Sequence, residues 1–188
     1  MNKDITIRIH SRLAKSYANG PGCRAVIWFQ GCPFRCRDCY NQNIQPFDGG
    51  IEISVTELLR WLESIKDISG LTLSGGEPTE QMTGLLVFLY EIRKTTNLSI
   101  LIFSGRTLEQ VLSMPGGKEM LSLADVLIDA LYEPQLSNPA GIWPSSSNQT
   151  IHFLTGRYSE EDFQGLPECE AIIDKNGDVI ITGNFGDT

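Results

Sequence analysis

Three of the five cysteines fall within eight residues, as Cys32-x3-Cys36-x2-Cys39 in the segment GCPFRCRDCYN. Thiolates at these spacings on a tight loop can all turn toward one centre, which suits a soft metal or an iron–sulfur cluster. A structural zinc site is closed by four ligands, and the candidates for a fourth, Cys23, Cys169, His10 and His152, are scattered along the chain. A four-iron cluster held by three thiolates leaves one iron without a protein ligand, open to a substrate or cofactor. The spacing therefore favours an open cluster, with a zinc site and unrelated buried cysteines as the alternatives. An odd cysteine count with this clustering does not read as the disulfide framework of a secreted chain. Cys23 and Cys169, each alone, read as small buried apolar residues.

The 188 residues, 41% apolar and 20% charged, allow one domain with an appendage and a substantial core. The longest apolar and aromatic run, Leu85 to Tyr90, is far short of the roughly 20 residues of a membrane helix. The alternating N-terminus has no secretory pattern. A net charge of −8 argues against nucleic acid and anionic membranes as partners. These features together place the chain in the cytoplasm.

Apolar runs at Ala25–Phe29, Leu71–Leu73, Ser99–Phe103 and Val126–Ile128 read as strands. Between them, Ser54–Lys66, with a Ser54/Glu57 capping box, and the stretch from Glu80 or Gln81 to Thr95 read as amphipathic helices. Thr107–Ser113 reads as a short helix stopped by Pro115-Gly116-Gly117. A polar, proline-marked loop runs from Glu133 to about Asn148. Ala171–Ile173 and Val179–Ile181 around Asn176-Gly177 form a hairpin pattern. The alternation predicts an α/β fold with a parallel sheet, a main unit over 1–156 and a small β appendage over 157–188. In such folds the loops after the strands open on one face. The cysteine loop, Gly75-Gly76-Glu77, Ser104-Gly105 and Asp129 are thereby expected at one site. The two glycines at a strand end offer a bare backbone for close approach to a ligand.

Cys-x3-Cys-x2-Cys followed by Gly-Gly-Glu resembles the radical S-adenosylmethionine (SAM) enzymes. Within them, Asn19-Gly20-Pro21-Gly22-x-Arg24, Gln30-Gly31-Cys32, Cys39-Tyr40-Asn41, Leu73-Ser74-Gly75-Gly76, Val126-Leu127-Ile128-Asp129 and Ser146-Ser147-Asn148-Gln149 resemble the activating proteins of anaerobic ribonucleoside-triphosphate reductase. The resemblance runs in order from about Asn19 to Leu154. It implies an incomplete (β/α)6 partial barrel with a C-terminal β-hairpin appendage. It implies one [4Fe-4S] cluster on Cys32, Cys36 and Cys39. SAM contacts would come from Asp38, Cys39, Tyr40 and Gly76, with Gly75 and Glu77 at the methionine ammonium. Ser104 and Asp129 would lie at the ribose or methionine end, and no catalytic residue is implied beyond the cluster and SAM site. The implied activity is reductive cleavage of SAM to a 5′-deoxyadenosyl radical, which generates a glycyl radical on a partner enzyme. A flavodoxin or ferredoxin would supply the electron. The sequence departs from the subgroup pattern at Asp38, where glycine is usual. It departs again at Asp129-Ala130, in place of Asp-Gly, and at Pro144-Ser145, in place of Arg-Gly.

The alternative functions are a radical SAM enzyme acting on a ribosomal peptide or small metabolite, and a non-catalytic zinc-binding module. Trp28 and Trp61 read as core aromatics, and Trp143 as a site or partner contact. His10 and His152 read as structural. Arg24 and Arg106 are expected at or just beyond the cluster face, either pairing SAM's carboxylate or solvated. Asp125, Asp129 and Glu133 do not form a general acid/base pair, because hydrogen-atom abstraction needs none.

Overall fold

In a computed structural model, described for residues 5–173, 177 and 179–183, the chain forms one seven-stranded sheet and one hairpin. The strands are β1 (Thr6–Ser16), β2 (Arg24–Phe29), β3 (Ile51–Ser54), β4 (Gly70–Gly75), β5 (Ser99–Phe103), β6 (Val126–Asp129) and β7 (Thr150–Phe153). Their order is β3-β1-β2-β4-β5-β6-β7. The central β2, β4, β5 and β6 run parallel, while β1, β3 and β7 join antiparallel. The α/β class and the parallel centre are as expected. The sheet stays open, and its four parallel strands are fewer than the six units the resemblance implies. No helix among the described residues is long and apolar enough to cross a membrane.

Period-two alternation gives each central strand two kinds of face. Ala25, Ile27 and Phe29 of β2, Leu71 and Leu73 of β4, and Ile100 and Ile102 of β5 share one core with the helices. Those helices are α1 (Val55–Ser64), α2 (Met82–Thr95), α3 (Leu108–Ser113) and α4 (Gly117–Leu123). The Ser54 hydroxyl accepts from the Glu57 amide at 3.1 Å and starts α1 at the residue the capping pattern marks. The Pro115-Gly116-Gly117 turn does end α3. It also begins α4, which sequence periodicity does not reveal, because Gly117 packs so near the Val111 carbonyl that a Cβ would lie 1.7 Å from it.

The opposite, inner face carries Leu101, Val126 and Ile128, covered by Phe163 with Tyr158, Leu166 and Trp143. The described residues after Gly156 thus add their own side chains to the core of the preceding sheet. Beyond them, β8 (Cys169–Ile173) and β9 (Val179–Gly183) form the expected hairpin. The turn expected around Asn176-Gly177 has Asn176 outside the described residues. Glu170 Oε2 accepts from the Tyr17 amide (2.6 Å) and the Ala18 amide (3.1 Å), and Asn19 Nδ2 donates to the Thr182 hydroxyl (3.0 Å). These bonds tie the hairpin to the β1–β2 connection.

Arg24 does not reach the cluster face. It begins β2, at the end of the strand away from the cysteine loop, and is fully buried on the inner side. Its guanidinium donates to the hydroxyls of Thr72 (2.8 Å), Ser99 (2.9 Å) and Tyr158 (3.2 Å). It also donates to the carbonyls of Pro21 (3.1 Å), Leu71 (2.8 Å) and Ser99 (3.2 Å). All six acceptors are neutral. Burial lowers the pKa of this arginine, and the hydrogen bonds rather than a counter-charge keep it inside.

Candidate functional site: a cavity beneath the cysteine loop

The loop after β2 is fixed by backbone and amide bonds before any ligand is considered. The amides of Gly31 and Cys32 donate to the carbonyls of Ile44 (2.8 Å) and Gln45 (3.0 Å). Gln45 Nε2 donates back to the Cys36 carbonyl (3.0 Å), and Gln42 Nε2 to that of Arg37 (3.0 Å). Gln30 Nε2 holds the far side of the loop through the carbonyls of Asn43 (3.0 Å) and Pro46 (2.7 Å). Arg35 turns the chain between the first two cysteines with a φ of 49°.

Cys32, Cys36 and Cys39 line one cavity of about 520 Å³, within the range of small-molecule sites. Asp38, Tyr40, Gly75, Gly76, Glu77 and Ser104 line it too, as the topology led us to expect. Asp129 does not. Its carboxylate accepts from the Leu108 amide at the start of α3 (2.6 Å) and the Thr150 amide of β7 (3.3 Å). His152 Nε2 lies 2.9 Å from the same carboxylate, without the alignment of a hydrogen bond.

Glycine at 76 answers first to the protein's own backbone. A Cβ there would lie 2.3 Å from the Gly31 carbonyl oxygen, and one at Gly75 would lie 2.5 Å from the Phe29 nitrogen. The Gly76 amide donates to Phe29 O (2.8 Å) and the Glu77 amide to Gly31 O (2.9 Å), so the two loops are joined. The Glu77 carboxylate is buried and fully engaged. Oε1 accepts from the Thr79 amide (3.1 Å), the Thr79 hydroxyl (2.6 Å) and the Ser104 hydroxyl (3.0 Å). Oε2 accepts from the Gly105 amide (2.8 Å). Arg106 likewise bonds within the frame, to the Thr79 hydroxyl (3.0 Å) and Glu80, with its guanidinium 5.4 Å over the Phe34 ring.

The walls also contain Trp28, which the sequence placed in the core. Trp28 is half-buried and faces the cavity, because its strand neighbours Ile27 and Phe29 point to the helices. Alternation within β2 was the available signal. Tyr40 packs against Tyr132 with ring centroids 4.8 Å apart, joining the cysteine loop to the segment after β6. That segment is shaped by Ser146–Gln149: Gln149 Nε2 donates to the Ala130 carbonyl (3.0 Å) and Asn148 Nδ2 to that of Leu131 (2.8 Å). Trp143 lines the cavity and packs on Phe103 and Phe163.

Three thiols on one cavity wall are a fitting donor set for an iron–sulfur cluster. Burial pushes the Cys32 and Cys36 thiols up, so a bound cationic group is what would make them thiolates. Among the described residues no group of three Cys, His, Asp or Glu side chains is arranged to hold a metal ion. The trio does not close on one point, whereas a multi-iron cluster takes each thiolate at a different iron. Cys23 is buried just before β2, as expected, whereas Cys169 is exposed rather than buried, because it begins the largely solvent-facing strand β8.

A family model described as a 4Fe-4S single cluster domain matches residues 18–152. The anaerobic ribonucleoside-triphosphate reductase-activating protein of Pasteurella multocida is 30% identical over 144 residues, 73% of this chain and 91% of its own. The protein of that name from Haemophilus influenzae is 31% identical over 141 residues, 71% of this chain and 90% of its own. That of Enterobacteria phage T4 is 32% identical over 143 residues, covering 72% and 86%. The chain belongs to this family of activating proteins. The matched region contains every cavity residue named above, from Trp28 to Trp143, and stops before the segment that carries Tyr158, Phe163 and the hairpin.

Proposed function

We propose that this chain is a radical SAM activase. It holds a [4Fe-4S] cluster on Cys32, Cys36 and Cys39, binds SAM beside it, and generates a glycyl radical on an anaerobic ribonucleoside-triphosphate reductase. The observation that carries this is the sharing of one cavity by the three thiols and the Gly75-Gly76-Glu77 loop, in a chain of this family. When bound and reduced, the cluster supplies the electron that cleaves SAM to methionine and a hydrogen-abstracting 5′-deoxyadenosyl radical. The chain's own part is placement. Asp38, Cys39 and Tyr40 form one side of the SAM pocket. Gly75 and Gly76 form the other with their bare backbone. Glu77 serves by bracing the loops around Ser104, and the Tyr40–Tyr132 pair borders the space a glycine-bearing loop would enter. The open sheet supports the partial-barrel description, with the partner reached from the loop side. Asp129 is a support for α3 and β7 rather than a SAM contact. A flavodoxin or ferredoxin is the electron donor in this scheme.

Two measurements test it. Changing Cys32, Cys36 or Cys39 to Ala should abolish four-iron loading by iron and sulfide analysis, while Cys23→Ala and Cys169→Ala keep it; a full cluster in Cys36→Ala defeats the ligand assignment. Reduced protein with SAM and the reductase should give 5′-deoxyadenosine and a glycyl-radical doublet, narrowed when the reductase glycine is deuterated. Transfer of the abstraction to a peptide or metabolite instead would install the alternative enzyme.

A further inference from the structure

The first 47 residues hold seven Lys and Arg against two acids, whereas the remainder holds eight against 21. Most of that early cationic charge is already committed, and Lys3 lies outside the described residues. Arg8 pairs with Glu52 (3.1 Å), Arg12 lies 4.9 Å over the Trp61 ring, Lys15 is 4.0 Å from Asp67, and Arg24 is buried. Arg35 and Arg37 are different. Both are exposed, and neither makes an ion pair among the described residues.

Their position on the cysteine loop is specific. Cys32, Phe34, Cys36, Asp38 and Cys39 face the cavity, while Arg35 and Arg37, on either side of Cys36, do not line it. The loop therefore has an inner side of thiols with its one acid, and an outer side of two exposed guanidiniums. The left-handed turn at Arg35 and the Gln42 bond to the Arg37 carbonyl hold this arrangement. A molecule that reacts with SAM must enter the cavity. One that only passes an electron to the cluster needs nothing but proximity to its ligands, and the outer side provides that.

We propose that Arg35 and Arg37 form the docking patch for an acidic one-electron carrier protein; this rests on the cluster assignment above. Complementary charge steers encounter and fixes orientation. The remainder of the chain is net acidic, which disfavours such a carrier there and sharpens the preference for this loop. In the step itself one electron leaves the carrier's reduced centre and enters the cluster. The carrier is oxidised by one unit, the cluster reduced by one, and no proton or bond changes hands.

The test uses the full chain and a purified acidic flavodoxin. Binding is followed by fluorescence anisotropy at low and high salt, which needs no turnover. Arg35→Glu/Arg37→Glu should weaken affinity at low salt by about tenfold or more and flatten its salt dependence. Arg35→Gln/Arg37→Gln should fall between, and Lys118→Glu on α4 should match the unaltered protein. In stopped flow, the charge reversal should slow cluster reduction by the flavodoxin about tenfold and leave reduction by dithionite unchanged. Unaltered affinity and rate in the reversed variant, an equal loss in Lys118→Glu, or a loss confined to reductase binding would overturn the proposal. A protein that takes up no cluster would instead defeat the proposed function, while the anisotropy still decides the patch.

Discussion

Ala130 adopts a φ of 73° at the site where the activase pattern places glycine. The left-handed conformation costs a residue with a Cβ about 1–2 kcal/mol. Two bonds hold it there: the Ala130 amide donates to the Arg106 carbonyl (3.2 Å), and its carbonyl accepts from Gln149 (3.0 Å). Ala130→Gly relieves the strain but gives the unfolded chain more freedom. The net expectation is a gain of roughly 0.5–1 kcal/mol in urea unfolding, with the midpoint shifted and the slope kept. A loss of stability would mean the Ala130 methyl packs usefully against the cavity wall. Glu77 shows the other side of residue-scale reasoning. Its place beside the glycines was legible in the sequence. Its bonds from Ser104 and Gly105 were not, because those residues come near it only once β4 and β5 lie side by side.

Among the elements, β6 is pinned at its start by Asp125. Its Oδ2 accepts from Arg93 of α2 (2.7 Å) and the Ile100 amide of β5 (2.8 Å), and Oδ1 from the Thr155 hydroxyl (2.9 Å). Burial alone would raise this carboxyl, but the Arg93, Ile100 and Thr155 bonds outweigh it and hold it below the usual aspartate range. A depressed carboxylate contributes stability that is full above its unfolded pKa of about 3.9 and is lost as pH falls through the folded value. Asp125→Asn should therefore destabilise the protein at neutral pH and flatten its loss of stability below about pH 5, followed by urea unfolding across pH. An unchanged acid slope in the variant would remove Asp125 from the account. The strands that stood out in sequence are those buried on both faces, β2, β4, β5 and β6, where apolar residues run together. β3 is an edge strand and β1 lies just inside it; both are half-solvated, and β1 carries register shifts against β2. The alternation noted at the N-terminus belongs to β1, where Ile7 and Ile9 are buried, whereas the short β3 is defined by its pairing across the sheet. The cavity was legible for a related reason: its residues sit where parallel strands end.

At the scale of the whole molecule, the sheet has two cores, and the inner one is completed from beyond the family-matched region. Phe163, 4% exposed, packs on Leu101, Val126 and Ile128 and meets the rings of Trp143, Phe153 and Tyr158. Phe163→Ala should cost about 3–5 kcal/mol, the usual range for removing a buried phenylalanine. Thermal and urea unfolding check this, and a cost under about 1 kcal/mol would mean that the segment is dispensable to the core. The same closure by late residues bears on how the protein is made. When Leu154 leaves the ribosome, the helix-side core has all its parts, yet the inner face still lacks Tyr158, Phe163 and Leu166. Phe163 and then Thr182 follow seconds later at about 5–20 residues per second. During that interval Leu101, Val126 and Ile128 are only partly covered, and the Arg24 guanidinium lacks the Tyr158 hydroxyl. The nascent chain is at its most aggregation-prone in the interval between the emergence of Leu154 and that of Phe163, so chaperone demand should concentrate there.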